Sequence, residues 1–141
     1  MLTIHPYLNF NGNTEDAFNF YKKVFGGEFA MLQRFKDSPD SGKIPAAHQN
    51  KIMHIALPIG GNMLMGTDAV EGMGPKLIEG TNFSITVSPE TEEETRMVFN
   101  GLSEGGTISM PLQKMFWGPL FGMCTDKFGI QWMVNQDQKP K

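Results

Sequence analysis

Hydrophobic and polar residues alternate from the start of the chain. Over residues 2–10, Ile4, Leu8 and Phe10 fall on one side and Thr3, His5, Tyr7 and Asn9 on the other. A period of two predicts a β-strand, and Asn11-Gly12-Asn13 ends it. The period then lengthens. Ala17, Phe20, Tyr21 and Val24 stand at i, i+3, i+4 and i+7, which predicts a helix with one apolar stripe. Asn13 is placed to cap it, Glu15 and Asp16 suit its first turn, and Lys22 and Lys23 suit its last. Gly26-Gly27 supplies a left-handed stop. Residues 28–36 read as a second strand, and the polar cluster Asp37 to Gly42 opens a loop running to about Asn50. In residues 51–59, Met53, Ile55, Leu57 and Ile59 alternate with Ile52, His54, Ala56 and Pro58. Gly60-Gly61 then turns the chain back through residues 62–68 as a hairpin partner.

A glycine-rich connection, Gly72 to Gly80, follows, and the same order recurs. Residues 81–88 set Phe83, Ile85 and Val87 against Asn82, Ser84, Thr86 and Ser88. Thr91-Glu92-Glu93-Glu94 forms a capping-box pattern for a second helix striped by Thr95, Val98, Phe99 and Leu102. Gly105-Gly106 stops that helix, and strands are expected near 107–112, 119–126 and 130–136. Strand-helix-strand-strand-strand thus appears twice, offset by roughly 78 or 79 residues, the mark of an internal repeat. At that offset Ala17 matches Thr95, Phe20 matches Val98, Tyr21 matches Phe99 and Val24 matches Leu102. The expected fold class is α+β, a single domain over residues 1–141. Its first βαβββ half covers about 1–70 and its second about 80–137. In each half the first strand carries one polar face, which looks either at solvent or into the hollow of a curved sheet.

Composition narrows the partners. The 141 residues carry a formal net charge of -3, and the longest basic run is the pair Lys22-Lys23. Readers of nucleic acid carry basic patches, so no nucleic-acid partner is expected. No apolar run approaches the ~20 residues that cross a bilayer, and the first residues lack the pattern of a secretory signal. The lone cysteine, Cys124, cannot form an internal disulfide, which points to a reducing, cytoplasmic compartment. Methionine is abundant at 11 residues, as core filler or as a surface that adapts to ligands.

Three stretches resemble one known family. They are Pro6 to Phe10 with Ala17 to Gly27, then Met53 to Leu57, and finally the late run Phe116-Trp117-Gly118, Phe121 to Met123, Thr125 to Gly129 and Trp132 to Asn135. Together they resemble the PhnB-like branch of the vicinal oxygen chelate superfamily, which includes glyoxalase I, bleomycin-binding proteins and extradiol dioxygenases. The resemblance implies two βαβββ modules forming a curved mixed sheet around a cleft, with helices outside, and a homodimer. Some relatives are labelled after a ubiquinone-pathway methyltransferase, but no glycine-rich strand-to-helix turn for S-adenosylmethionine is visible here.

The resemblance also implies a divalent metal held from the first and fourth strands of each half. Carried over by position, those places hold His5, Met65, Ser84 and Met133. Thioethers prefer soft ions and a serine hydroxyl is a poor ligand, so no metal and no cofactor are expected. Two functions then stand side by side. One is a module binding a small organic ligand, with His5, Tyr7, Asn9, Ser84, Gln113 and Trp117 as candidate contacts. The other is a lyase or isomerase on a small oxygenated substrate, using either a degenerate metal site at His5 or a His-carboxylate pair of His54 and Asp68 for acid-base work. Each residue also has a structural reading: His54 as a hydrogen-bonded histidine, Asp68 and Asp126 as turn caps, Trp117 and Trp132 as core, Cys124 as buried filler, and His48 as a solvated loop residue.

Overall fold

The computed structural model describes residues 2–137. The chain forms two compact units, Met1–Ile78 and Glu79–Lys141, which meet within the glycine-rich connection singled out from the sequence.

The first unit holds β1 (Tyr7–Phe10), α1 (Thr14–Phe25), β2 (Met31–Arg34), β3 (Ile52–Ile59) and β4 (Asn62–Asp68). The second repeats the order with β5 (Ile85–Val87), α2 (Glu92–Ser103), β6 (Thr107–Lys114), β7 (Leu120–Thr125) and β8 (Gln131–Asn135). The expected βαβββ order is present in both units. Each forms its own four-stranded mixed sheet, ordered β1-β4-β3-β2 and β5-β8-β7-β6. In each sheet the first strand runs parallel to the fourth, and the other pairs are antiparallel. The hairpin between β3 and β4 pairs Ile59 with Asn62, and Gly60 turns it at φ 58°, a conformation glycine adopts without steric cost.

One face of each sheet packs on its helix. In the first unit Leu8, Phe10, Ile55, Leu57 and Leu64 are buried against Ala17, Phe18 and Tyr21. In the second, Leu120, Cys124, Trp132 and Val134 are buried with Val98, Phe99 and Leu102. The predicted α2 stripe is the buried one. Thr91 caps that helix by accepting from the Glu94 backbone N–H at 3.0 Å, while the Glu94 carboxylate accepts from Glu90 rather than from Thr91.

The α1 stripe differs from the sequence expectation. Thr14, Ala17, Phe18 and Tyr21 are buried, so the helix is rotated toward Phe18 and away from Phe20 and Val24. The cause is Gly66 on β4: a Cβ there would lie 2.6 Å from Phe18 Cε1, so the missing side chain makes the notch that the Phe18 ring fills. Phe99 of α2 sits over Gly122 in the same way, 2.7 Å from where a Cβ would be. The helix faces therefore correspond as Thr14 with Thr95, Ala17 with Val98, Phe18 with Phe99 and Tyr21 with Leu102, three residues from the pairing inferred by simple offset.

The N-terminus of α1 is also held differently. Asn13 makes no side-chain cap. The buried carboxylate of Asp68, at the end of β4, accepts from the Thr14 backbone N–H at 3.0 Å and from its hydroxyl at 2.6 Å. β1 is shorter than the alternation predicts. Its register with β4 begins at Tyr7 opposite Met65, and Ile4, before the strand, is 82% exposed. β2 stops at Arg34, where its register with β3 shifts. Residues Phe35–Asp37 wind into a 3-10 turn instead. Among the described residues no helix is long and apolar enough to cross a membrane.

Cys124 faces the α2 side of the second sheet. Burial pushes its thiol up to about 11, with Asp126 adding to the effect. At pH 8 roughly one thiol in a thousand is then ionised. The native protein is expected to react with a thiol-specific dye orders of magnitude more slowly than the urea-unfolded chain. A fast native reaction would show the thiol to be accessible and ionised.

Candidate functional site

The strand register assigns the other, helix-free face of each sheet. Across the first sheet, Tyr7, Met65, Ala56 and Met31 form one row. Asn9, Thr67, His54 and Gln33 form the next, because Ile55 pairs with Gly66 and Gln33 with His54. Tyr7 reaches across β4 so that its hydroxyl lies 3.2 Å from His54 Nδ1, with the rings 5.7 Å apart. Burial raises the Tyr7 phenol above its ordinary value, a Thr67 hydrogen bond opposing. The phenol thus stays protonated at neutral pH, and the imidazole tautomer sets which of the two groups donates. Thr67 in turn donates to the Met53 carbonyl at 2.8 Å. Thr67 was not singled out from the sequence, although the alternation of β4 puts it on this face.

The structure does not form the His54–Asp68 pair expected from the sequence. Successive residues of a strand point to opposite faces, so Thr67 shares the face of His54 while Asp68 turns to the α1 side. There Asp68 is occupied by Thr14 and by the Ile52 backbone N–H at 2.8 Å. The partner of His54 is Tyr7. Asp126 is likewise engaged: it accepts from the backbone N–H groups of Phe128 and Ile130 and from Trp132 Nε1 at 2.8 Å. Trp132 is core, with its one polar atom satisfied.

His5 precedes β1, and its Nδ1 accepts the Met63 backbone N–H at 2.9 Å, leaving Nε2 as its only free donor atom. Asn9 is exposed on β1 opposite Thr67. In the second unit Met110, Met123, Met133 and Thr86 form one row across β6, β7, β8 and β5. The Thr86 hydroxyl contacts Met133 Sδ at 3.7 Å. Gln113, Phe121 and Asn135 form the next row, and Trp117 packs edge-on against Phe121 with centroids 6.4 Å apart. Ser84 lies just before β5, exposed. The rows in the two units correspond: Met31 with Met110, Met65 with Met133 and Tyr7 with Thr86. Six of the 11 methionines therefore stand on helix-free faces, namely Met31, Met63, Met65, Met110, Met123 and Met133.

The donor set does not fit a divalent ion. Of the four positions implied by resemblance, Met65 and Met133 offer thioethers and Ser84 a neutral hydroxyl, while His5 keeps a single free nitrogen. Among the described residues no three His, Cys, Asp or Glu side chains are grouped to hold a metal.

A family profile described as 3-demethylubiquinone-9 3-methyltransferase matches residues 2–135. The chain belongs to this PhnB-like family. Protein PA1353 from Pseudomonas aeruginosa is 41% identical with a TM-score of 0.83, over 99% of this chain and 100% of that one. A PhnB protein from Bacillus cereus is 28% identical with a TM-score of 0.76, over 96% and 100%. Protein YjdN of Escherichia coli strain K12 is 32% identical over 142 residues, 95% of each chain. A glyoxalase-related enzyme from Fulvimarina pelagi is 15% identical with a TM-score of 0.66, over 97% and 89%, and shows that the fold of this PhnB-like chain is the glyoxalase fold.

Proposed function

We propose that this PhnB-like protein binds a small organic molecule against the helix-free faces of its sheets, without the divalent metal usual in the superfamily. The observation that carries the reading is the Tyr7–His54 pair, a directed hydroxyl-imidazole couple set among methionines. The polar atoms fix the orientation of a ligand, and thioethers adapt to its shape. On the first unit His5 and Asn9 are the further candidate contacts, and on the second unit Ser84, Gln113 and Trp117 are the candidates. The methyl transfer in the family description finds little support in the two strand-to-helix turns. Asn11–Asn13 and Ser88–Thr91 hold one glycine between them, whereas a nucleoside cofactor is cradled by a glycine-rich turn. A single domain acting as a cytoplasmic homodimer completes the proposal, and a sizing column checks the dimer.

The test is mass spectrometry under native conditions on untagged protein purified without chelators, with metal content measured alongside. The expected result is a bound organic molecule, with metal far below one equivalent per chain. Tyr7→Phe is expected to weaken its retention roughly tenfold, the effect of losing one hydrogen bond. A stoichiometric divalent metal would overturn the metal-free reading.

One observation favours a second reading, a lyase or isomerase on a small oxygenated substrate. With Tyr7 on Nδ1, His54 presents Nε2 to a substrate, where the neutral imidazole takes a proton as a base and the imidazolium returns it as an acid. In that case His54→Ala lowers turnover by about 10²–10⁴-fold while binding survives. For a binding module, only binding changes.

A further inference from the structure

On the helix-free face of the first sheet, three carbonyl oxygens surround one hydroxyl. Thr67 Oγ1, on β4, lies 2.8 Å from the Met53 oxygen, 3.3 Å from that of Ile52 and 3.4 Å from that of Asp68. A backbone carbonyl only accepts. The single proton of Thr67 therefore points at this group, and Met53 takes it at the shortest distance. Thr67 also hydrogen-bonds the Tyr7 phenol. Two hydroxyl oxygens in such contact need one proton between them. With the Thr67 proton committed to Met53, the phenol supplies it and Thr67 accepts. Thr67 turns its own proton to Tyr7 only when the phenol ionises, which burial opposes.

A phenol has one proton to give. Once Tyr7 donates it to Thr67, none is left for the 3.2 Å contact with His54 Nδ1, so the imidazole donates there and Tyr7 accepts. We infer that Thr67 is a positioning residue. Through Tyr7 it holds neutral His54 with its proton on Nδ1 and a lone pair on Nε2. The order of donation runs from His54 to Tyr7, from Tyr7 to Thr67 and from Thr67 to the Met53 carbonyl. Because a carbonyl ends the chain, it runs one way. Among the described residues Tyr7 is the hydrogen-bond partner of His54, and Nε2 is left to a ligand. His5 is the opposite case: its Nδ1 accepts the Met63 N–H, which leaves its own proton on Nε2. This deepens the proposed function and rests on it: a molecule bound at this face meets a proton acceptor at His54, and in turnover it loses a proton there first.

The experiment is nitrogen NMR of the isotope-labelled, full-length protein at about pH 8.5, where imidazoles are neutral. Couplings to the ring C–H protons show which nitrogen carries the proton. The His54 signals are those missing from His54→Gln. In the parent protein the Nδ1–H form of His54 is expected to exceed the Nε2–H form about tenfold, the ratio one hydrogen bond supports. His5 should show the reverse. Thr67→Val keeps the branched shape suited to a strand and removes the acceptor. The Tyr7 proton then turns to Nδ1, and His54 should invert to Nε2–H. Thr67→Ser keeps the hydroxyl and should keep Nδ1–H. Tyr7→Phe should release His54 to Nε2–H, the form histidine prefers in water. Backbone amide spectra check that each variant is folded. Nε2–H on His54 in the parent protein would overturn the inference, as would Nδ1–H surviving in Thr67→Val. Where Thr67→Val fails to fold, the parent tautomer decides alone. If the tautomers are as expected but native mass spectrometry finds no retained molecule, the donation order stands and the binding function falls. If a molecule is retained while His54 carries Nε2–H, the inference falls and the binding function stands.

Discussion

Asp68→Ala is expected to destabilise the protein by about 3–5 kcal/mol, the range for breaking a buried charged hydrogen-bond network. Three donors converge on this carboxylate: the Thr14 N–H, the Thr14 hydroxyl and the Ile52 N–H. Asp68 is 4% exposed and Thr14 wholly buried, so water cannot readily replace the lost acceptor. Each orphaned donor costs ~1–3 kcal/mol. The charge also sits at the N-terminus of α1, where the helix dipole favours an anion. Asp68 thereby ties three elements together, the end of β4, the start of β3 and the first turn of α1. Asp68→Asn should fare little better, because its amide brings two donors to a place where donors already meet. Urea unfolding measures the loss, and a fall in Tm of roughly 10 °C or more should accompany it. A loss below ~1 kcal/mol would mean that the carboxylate does not hold these elements together. The same variant separates a structural role of Asp68 from a catalytic one. If it supports the fold alone, the residual folded protein keeps the Tyr7–His54 pair and whatever binding or turnover depends on it.

Gly66→Ala is expected to cost about 1–3 kcal/mol, the penalty for overpacking a filled core. The added methyl would lie 2.6 Å from Phe18 Cε1, 2.9 Å from Cζ and 3.2 Å from the Leu8 carbonyl oxygen. Phe18 is wholly buried, so its ring has no free space to swing into, and the carbonyl belongs to the neighbouring strand. A double-mutant cycle with Phe18→Leu tests the cause. Phe18→Leu alone should destabilise by leaving a void. Combined with Gly66→Ala it should be less harmful than the sum of the two, because the methyl occupies the volume the ring vacates. Additivity in chemical unfolding would show that the notch does not set the seat of α1.

Much of this architecture was legible along the chain. The β4 boundaries, 62–68, and the α2 stripe of Thr95, Val98, Phe99 and Leu102 follow from periodicity, and the structure reproduces them. These signals are local: a strand alternates, a helix repeats every 3.6 residues, and Thr91 needs only Glu94 three residues away to cap. The candidate site was legible only as a face. Alternation put Tyr7, Asn9 and His54 on polar positions, but pairing is a matter between strands. His54 and Asp68 look close by hairpin geometry, yet their side chains leave the sheet on opposite sides. Tyr7 and His54 are 47 residues apart and are joined only because β4 lies between β1 and β3 in the sheet.

The sequence by itself determined the order of elements, the repeat of βαβββ and the polar face of β1, because backbone periodicity and glycine stops act within a few residues. Tertiary structure decided which side of α1 is buried, what caps that helix and which partner His54 takes. The pattern of apolar residues on α1 tolerated either Phe18 or Phe20 as its centre. Only the notch at Gly66, more than 40 residues downstream, makes room for one of them.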